Sequence, residues 1–314
     1  MNSALKYAIV PASSAIVAVA LFITFGNARA VDNNVPVRRN PAEEGYRLHI
    51  QDNYKVFTLP TPESLTFGGA DVPLKSFGVR EKLDRELLVN TYWHSNTLLM
   101  FKRSNRWFPV IEPILERNGI PDDFKYLAVI ESGLTNAVSP AGATGFWQFL
   151  KSTGESYGLQ INEEVDERYH VEKSTEAACK YLNDAYAKFG DWALVAASYN
   201  MGMGGVSKQL NRQKVNSYWD LLLNEETSRY VYRILAIKEI LNNGTAYGFV
   251  VRPGDLYDPY ETREVTLEGG VDDLADFALQ EGANYNILKT LNPWLRQSYL
   301  KNPSKKSYTL ELPA

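Results

Sequence analysis

Across residues 80–118 the apolar positions recur at the spacing of a helix: Leu83, Leu87, Leu88 and Tyr92, then Leu98, Leu99 and Phe101, then Trp107, Phe108, Ile111 and Leu115. Asn118-Gly119 supplies a stop. A further helix is predicted to open at Pro121, with Asp122-Asp123 at the positive end of its dipole and Phe124, Leu127 and Ala128 as its apolar stripe; Gly133 ends it. Ser174-Thr175-Glu176 predicts another start, followed by Ala178, Tyr181, Leu182, Ala185, Tyr186 and Phe189 on one face. Trp192, Val195, Ala196 and Tyr199 share a face of the next segment, which ends at Asn200 before Met201-Gly202-Met203-Gly204-Gly205. Residues 227–241 place Tyr230, Ile234, Ile237 and Leu241 at core spacing.

After Asn243-Gly244 the pattern changes. Pro253, Gly254 and Pro259 mark a linker. Val265-Thr266-Leu267 reads as a short strand, and residues 272–280 as a helix with Leu274, Phe277 and Ala278 apolar. Ile287, Leu288 and Leu291 suggest a second helix stopped by Asn292-Pro293, and Tyr308-Thr309-Leu310-Glu311-Leu312 alternates as a strand. The fold class expected is mainly α, with a small α+β C-terminal module. Four regions are expected: 1–30 as a signal peptide or N-terminal anchor, 31–79 as a linker and irregular N-terminal segment, 80–248 as a helical domain, and 260–314 as an accessory module.

One polar residue stands out against this pattern. Glu131 lies seven positions after Phe124, four after Leu127 and three after Ala128, so its carboxylate falls on the apolar face of its helix. Desolvation there disfavours the charged form, and an acid that keeps its proton near neutral pH can act as a general acid. A structural ion pair would explain a half-buried Glu equally well. The next eighteen or so residues point elsewhere. Ser139-Pro140-Ala141-Gly142-Ala143 is a small-residue loop that lets backbone approach a ligand, and Gly145-Phe146-Trp147-Gln148-Phe149 adds aromatic surface and an amide. An acid, a close-approach loop, aromatic rings and an amide suit a sugar chain. Tyr199-Asn200, just before glycines, reads either as a ligand-facing edge or as a core Tyr with a helix stop. Those glycines have no preceding strand and no nucleotide-loop spacing.

Charge and composition then narrow the classes. The chain has 314 residues, a formal net charge of -4 and a sequence pI near 5.6, which argues against a nucleic-acid binder. Cys179 is the only cysteine, so no intramolecular disulfide exists, and it reads as a packing residue. His49, His94 and His170 are scattered, and neither a metal site nor a cofactor motif is legible. Lys6, the uncharged run at 7–27 and Ala28-Arg29-Ala30 predict export, with the segment either cleaved or kept as an anchor.

Glu131-Ser132, the loop from Ser139 to Gly145 with Trp147-Gln148, and Ala197-Ser198-Tyr199-Asn200 together resemble the family 1, SLT-type lytic transglycosylases, in their membrane-bound D variety. The resemblance spans residues 106–243. Phe146 stands where Leu is usual and Ser198 where Ala is common. The family implies a goose-type, lysozyme-like helical catalytic domain and peptidoglycan as substrate. It also implies cleavage of the β-1,4 bond between N-acetylmuramic acid and N-acetylglucosamine, leaving a 1,6-anhydromuramyl end. Glu131 is then the catalytic acid and, once ionised, the base. Ser132 orients it, and Ser139, Gln148, Tyr199 and Asn200 contact the flanking sugars. The strand-helix-helix-strand unit resembles a LysM module, a glycan binder, and an accessory domain packed on the catalytic one is the alternative.

A glycosidase needs a second carboxylate. Glu155, Asp166 and Glu167 are the sequence candidates, and Asp166-x-Arg168 reads better as an ion pair. The alternatives retained are a muramidase on the same fold and a non-catalytic wall-binding protein. Expected partners are peptidoglycan glycan strands and cell-envelope proteins. The membrane is contacted only through an uncleaved N-terminal segment, in a periplasmic or envelope location.

Overall fold

The computed structural model describes residues 56–314. The expected signal peptide or anchor, most of the expected linker, and His49 lie outside the described residues. Residues 58–314 form one compact unit.

The unit begins with a small hairpin, β1 (Thr66–Phe67) antiparallel to β2 (Ala70–Asp71). Residues 58–78 are otherwise irregular, and Leu65, Phe67, Val72 and Leu74 are buried in the main core. The hairpin is tied down by the Gly68 amide, which donates to Asp123 (2.8 Å); Asp123 also pairs with Lys238 (2.6 Å). The helical run predicted over 80–118 is two helices, α1 (Val79–Tyr92) and α2 (His94–Arg117), broken at Trp93. A 3₁₀ turn (Asp122–Phe124) leads into α3 (Lys125–Ser132), and α4 (Lys151–Ser156) comes after the small-residue loop.

Next come α5 (Val171–Phe189), α6 (Trp192–Met201), α7 (Met203–Gln213) and α8 (Glu225–Asn242). Helix α5 starts ahead of its predicted cap. Ser174 and Thr175 are buried inside it, and their hydroxyls bond back to the carbonyls of His170 (2.7 Å) and Val171 (2.6 Å). Such back-bonding lets a hydroxyl residue sit within a helix. Asp191 does cap α6, accepting from the Leu194 amide (2.7 Å), and Asn224 caps α8 through the Thr227 amide (2.8 Å).

Helix α8 packs on α1, α3 and α6, so it organises the domain. Its apolar stripe, Ile234, Leu235, Ile237 and Ile240, is fully buried. Cys179 is buried too, and burial pushes its thiol up to about 12, which leaves it inert.

The C-terminal module has the predicted order. Strand β3 (Thr262–Leu267) pairs antiparallel with β4 (Tyr308–Pro313), in register from Thr262↔Pro313 to Leu267↔Tyr308. Between them lie α9 (Leu274–Gln280), capped by Asp273, and α10 (Tyr285–Leu291), capped by Asn284. Leu274, Leu288, Trp294, Leu310 and Leu312 form its core, joined by Val165 of the helical part. The Asp166 amide donates to the Trp294 carbonyl (2.9 Å) and the Arg296 amide to the Glu164 carbonyl (2.7 Å), so the module is docked through its backbone. The expected linker is bound as well: Lys102, Asn105 and Arg106 of α2 donate to the carbonyls of Asp255 (2.6 Å), Tyr257 (3.1 Å) and Asp258 (2.8 Å). Among the described residues no helix is long and apolar enough to cross a membrane.

A buried ion pair and an exposed one, Arg85–Glu225 (3.1 Å), join α1 to α8. Glu86, 1% exposed, takes a two-pronged contact from Arg229, at 2.6 and 3.1 Å. A buried carboxylate left alone is far more costly than the pair is stabilising. Arg229→Ala is therefore expected to lower stability by about 3 kcal/mol, and the double Glu86→Leu/Arg229→Leu change by less than half as much. Denaturant unfolding of the two variants checks this; equal losses would mean that the pair contributes through packing alone.

Candidate active site

Glu131 reaches its place by the local logic of α3. Phe124, Leu127 and Ala128 are fully buried, and the same face carries Glu131 in the last turn. Gly133 then adopts a left-handed conformation (φ 61°) that stops the helix, a geometry glycine reaches without a Cβ penalty. The carboxyl group is only partly exposed. Tyr230, 1% exposed on α8, donates its hydroxyl to Glu131 Oε1.

Burial pushes the Glu131 pKa up and dominates; the Tyr230 hydrogen bond and the Arg233 charge pull it down, Glu226 pushes it up, and the net result is raised above 4.5. Tyr230 is itself held well above 10 by burial and by the Glu131 charge, so it remains a donor. Arg233 also donates to the Ile130 carbonyl (2.9 Å), which fixes it beside the acid.

Two cavities meet at Glu131. One, of about 720 Å³, runs past Val89, Trp93, Met100 and Arg103 to Arg229 and Arg233. The other, of about 340 Å³, is lined by Ser139, Gln148, Phe149, Tyr181, Tyr199 and Asn200. Glu131 and Glu226 line both, so together they make a groove with an acid at its middle. Trp93 is 59% exposed on the first side and offers a ring face to a sugar.

The sequence-predicted residues gather here, with altered jobs. Ser132 lines the groove but does not touch the Glu131 carboxylate, contrary to the role its family implied. Its hydroxyl serves the carbonyls of Ala128 (3.1 Å) and Phe146 (2.9 Å), because at a helix end it satisfies a carbonyl one turn back. Ser139 Oγ accepts from the Ala143 amide (3.0 Å) and closes the loop.

Gln148 sits at φ 48°, strained for a residue with a side chain, and its amide donates to the carbonyls of Ala137 (3.0 Å) and Gly145 (2.8 Å). Its Oε1 has no partner among the described residues and is the acceptor left for a ligand. Tyr199 donates to the Trp147 carbonyl (2.8 Å), and its ring packs against Trp147, Phe149 and Tyr181. Asn200 is engaged twice, giving to Glu226 (3.0 Å) and accepting from Thr227 (2.6 Å).

The aromatic surface expected at 146–149 is mostly interior. Trp147 is completely buried, with its indole N–H on Thr175 (2.8 Å), and Phe146 is buried too, which leaves Phe149 at the groove. Three candidate carboxylates fall elsewhere. Glu155 is exposed beside Lys151, Asp166 is paired with Arg168 (2.7 Å), and Glu167 with Lys173 (2.5 Å).

Sequence reasoning missed Glu226; it favoured core for Tyr230 and Tyr232 while leaving one of the two open as a groove residue. Tyr230 does fit the core stripe of α8, and nothing local in sequence says that its hydroxyl meets an acid 99 positions earlier. Glu226 lies in the acidic first turn of α8, where Glu is common for dipole reasons alone.

Arg168 locks the small-residue loop. Beyond its pair with Asp166 it donates to the carbonyls of Gly142 (3.1 Å) and Phe149 (3.2 Å). Gly145, at φ +81°, passes so close that an added Cβ would lie 1.9 Å from the Arg168 carbonyl oxygen. Gly145→Ala is thus expected to cost about 3 kcal/mol, from a backbone clash plus a forbidden dihedral. Thermal unfolding reads the loss directly; a variant as stable as the parent would show that this loop is not held as tightly as its geometry demands.

Comparison with known proteins finds similarity in two stretches of the chain. Residues 109–222 match the transglycosylase SLT domain, and residues 263–314 match the soluble lytic transglycosylase C-terminal LysM-like domain. Membrane-bound lytic murein transglycosylase D from Escherichia coli K12 is 33% identical over 228 residues, covering 71% of this chain and 49% of that protein. The protein of the same name from Escherichia coli O6:H1 gives the same figures. The chain thus spans about half the length of the curated relatives it matches. An inactive variant of lytic transglycosylase Slt from Pseudomonas aeruginosa aligns at 19% identity and a TM-score of 0.35, over 49% of this chain and 26% of that one; at that score the likeness decides nothing about fold. The similarity to the SLT transglycosylase domain thus lies in residues 109–222, and that to the LysM-like C-terminal domain of soluble lytic transglycosylases in residues 263–314.

Proposed function

We propose that the protein is a peptidoglycan lytic transglycosylase of the cell envelope, with Glu131 as its catalytic acid and base. The observation that carries the reading is a carboxyl group whose pKa is raised, chiefly by burial, at the junction of a two-part groove. A glycan strand lies along both parts with its scissile β-1,4 bond over Glu131. The acid protonates the leaving oxygen as the bond to C1 of N-acetylmuramic acid breaks. The resulting carboxylate takes the proton of the same sugar's C6 hydroxyl, and that oxygen closes onto C1, so no water is consumed.

Tyr230 steadies the carboxyl group in both protonation states, and Arg233 offsets the charge of the ionised one. Ser139, Gln148, Tyr199 and Asn200 line one arm of the groove, where the Gln148 oxygen is free to meet sugar. Ser132 supports the other arm through its backbone contacts. Regions 80–248 and 260–314 serve as catalytic and wall-contacting domains, and residues 1–30 as the export signal or anchor.

One observation favours a second reading. Glu226 lines both arms beside Glu131, and two carboxylates in a groove are the equipment of a hydrolase. Asn200 binds Glu226, which restrains it as a base. Digestion of purified peptidoglycan, with the muropeptides weighed, separates the two. Products lighter than hydrolytic ones by one water, lost in Glu131→Gln and kept in Glu226→Gln, are expected. Reducing-end products lost in both variants would make the protein a muramidase.

The Glu131→Gln control should be folded. A raised native pKa means that Glu131 adds stability below about 4.5 and takes it away as pH rises through the native value. At pH 7.5 the variant should melt no lower than the parent.

Tyr230→Phe supplies a pH test. Removing a hydrogen bond that lowers the Glu131 pKa raises that pKa further. The alkaline limb of kcat/KM, where the acid loses its proton, should move to higher pH while kcat falls about tenfold or more. An unmoved limb would mean that Glu131 is not the group titrating there.

A further inference from the structure

A third cavity, of about 380 Å³, lies between the helical domain and the C-terminal module. Its size suits a small ligand. Aromatic rings form much of its wall: Trp107 meets Phe146 edge-on at 5.0 Å and Tyr260 at 6.1 Å, and Trp294 stacks between His170 (5.8 Å) and Tyr308 (5.6 Å). The imidazole is neutral, its pKa lowered to about 4 chiefly by burial.

Two carboxylates open into the same space, Glu172 from the first turn of α5 and Glu311 from β4. Neither carboxylate has a hydrogen-bond or ion-pair partner among the described residues. Glu311 is half-buried, and the charges that bear on it are both acidic, Glu172 and Glu264. A partly desolvated acid with only acids around it stands unsatisfied. Beside aromatic faces, such a pair suits an ammonium group.

A different wall carries the opposite charge. Arg103 and Arg106 of α2 line the cavity. Arg106 is held by the Asp258 carbonyl and the Tyr260 hydroxyl, both at 2.8 Å. Arg103 donates to the Gly133 carbonyl (3.1 Å) and also lines the Glu131 groove, so one side chain borders both spaces. Guanidinium groups suit a carboxylate.

We propose that this cavity binds a short zwitterionic peptide, its ammonium between Glu172 and Glu311 and its carboxylate on the Arg103–Arg106 side. Identifying that peptide as the branch of a glycan strand seated in the Glu131 groove rests on the function proposed above; peptide binding itself does not.

The test is calorimetric titration of the full chain carrying Glu131→Gln, which excludes turnover. The probe is the sugar-free tripeptide L-alanyl-γ-D-glutamyl-diaminopimelate, compared with the same peptide acetylated on its amines and with an N-acetylglucosamine tetramer. The free tripeptide is expected to bind about tenfold or more tightly than the acetylated form, and Glu172→Gln/Glu311→Gln to lose about tenfold. These changes remove like charges, so the melting temperature should not fall; should Glu311→Gln disturb folding, exposed Glu172→Gln alone keeps the test open.

Equal binding of free and acetylated peptide, equal binding in the acid-free variants, or binding of the tetramer alone each overturns the proposal. Cleavage of peptide-free glycan strands by the unsubstituted protein reports separately on Glu131. Cleavage without peptide binding sinks this site and leaves the transglycosylase standing; peptide binding without cleavage does the reverse.

Discussion

The contact on which the site depends is the hydrogen bond from Tyr230 to Glu131. It joins the last turn of α3 to the middle of α8, the helix that packs on α1, α3 and α6. A carboxyl group on the apolar face of a helix has two ways to exist: neutral, or charged with partners. Here it has one donor that keeps its proton at any physiological pH and one guanidinium that acts through charge. That environment favours the acid without forbidding the base. The proposed acid-then-base role of Glu131 needs such balance; full pairing to an arginine would hold it ionised, and a dry pocket would hold it neutral.

Much of this was legible because it is periodic. The spacing of Phe124, Leu127, Ala128 and Glu131 places the acid on the buried face with no help from the rest of the chain, and Gly133 announces the helix end. The strand-helix-helix-strand order of the module was equally open to reading, since alternation and Asn-Pro punctuation are local signals. What failed was non-local. Trp147 has the composition of a groove residue, yet its N–H finds Thr175 on α5, and burial results. Tyr230 has the spacing of a core residue and is one, but its hydroxyl completes the site. Ser132 stands where its family's pattern gives it an orienting role, and its oxygen is taken by helix-end carbonyls. A one-dimensional pattern reports which face a residue takes; it does not report what polar atom waits there.

The groove wall and the C-terminal module share one short segment. Asp166 and Arg168 pin the loop that carries Ser139 and Gly145, while the Asp166 amide and Val165 hold the module. Gly145 fits against the Arg168 carbonyl only because it has no Cβ. A displacement of the module therefore pulls on the backbone that positions the loop. From the sequence, a LysM-like unit and a packed accessory domain stood as alternatives. The module is LysM-like by its match and packed by its contacts, and the two descriptions are compatible.

This docking gives α2 an unusual position. One of its faces supports the acid through Arg103 and Gly133, and it also binds the interdomain segment through Lys102, Asn105 and Arg106. The helix is continuous past Pro109 and Pro113, so these contacts sit on one rigid element. For the proposed substrate, a linear glycan needs only a continuous groove, and the two arms that share Glu131 supply one. A branched strand needs lateral room at a fixed distance from the scissile bond. Rigid α2, with Arg103 facing both spaces, fixes such a distance, and it does so by the same residues that hold the two domains together.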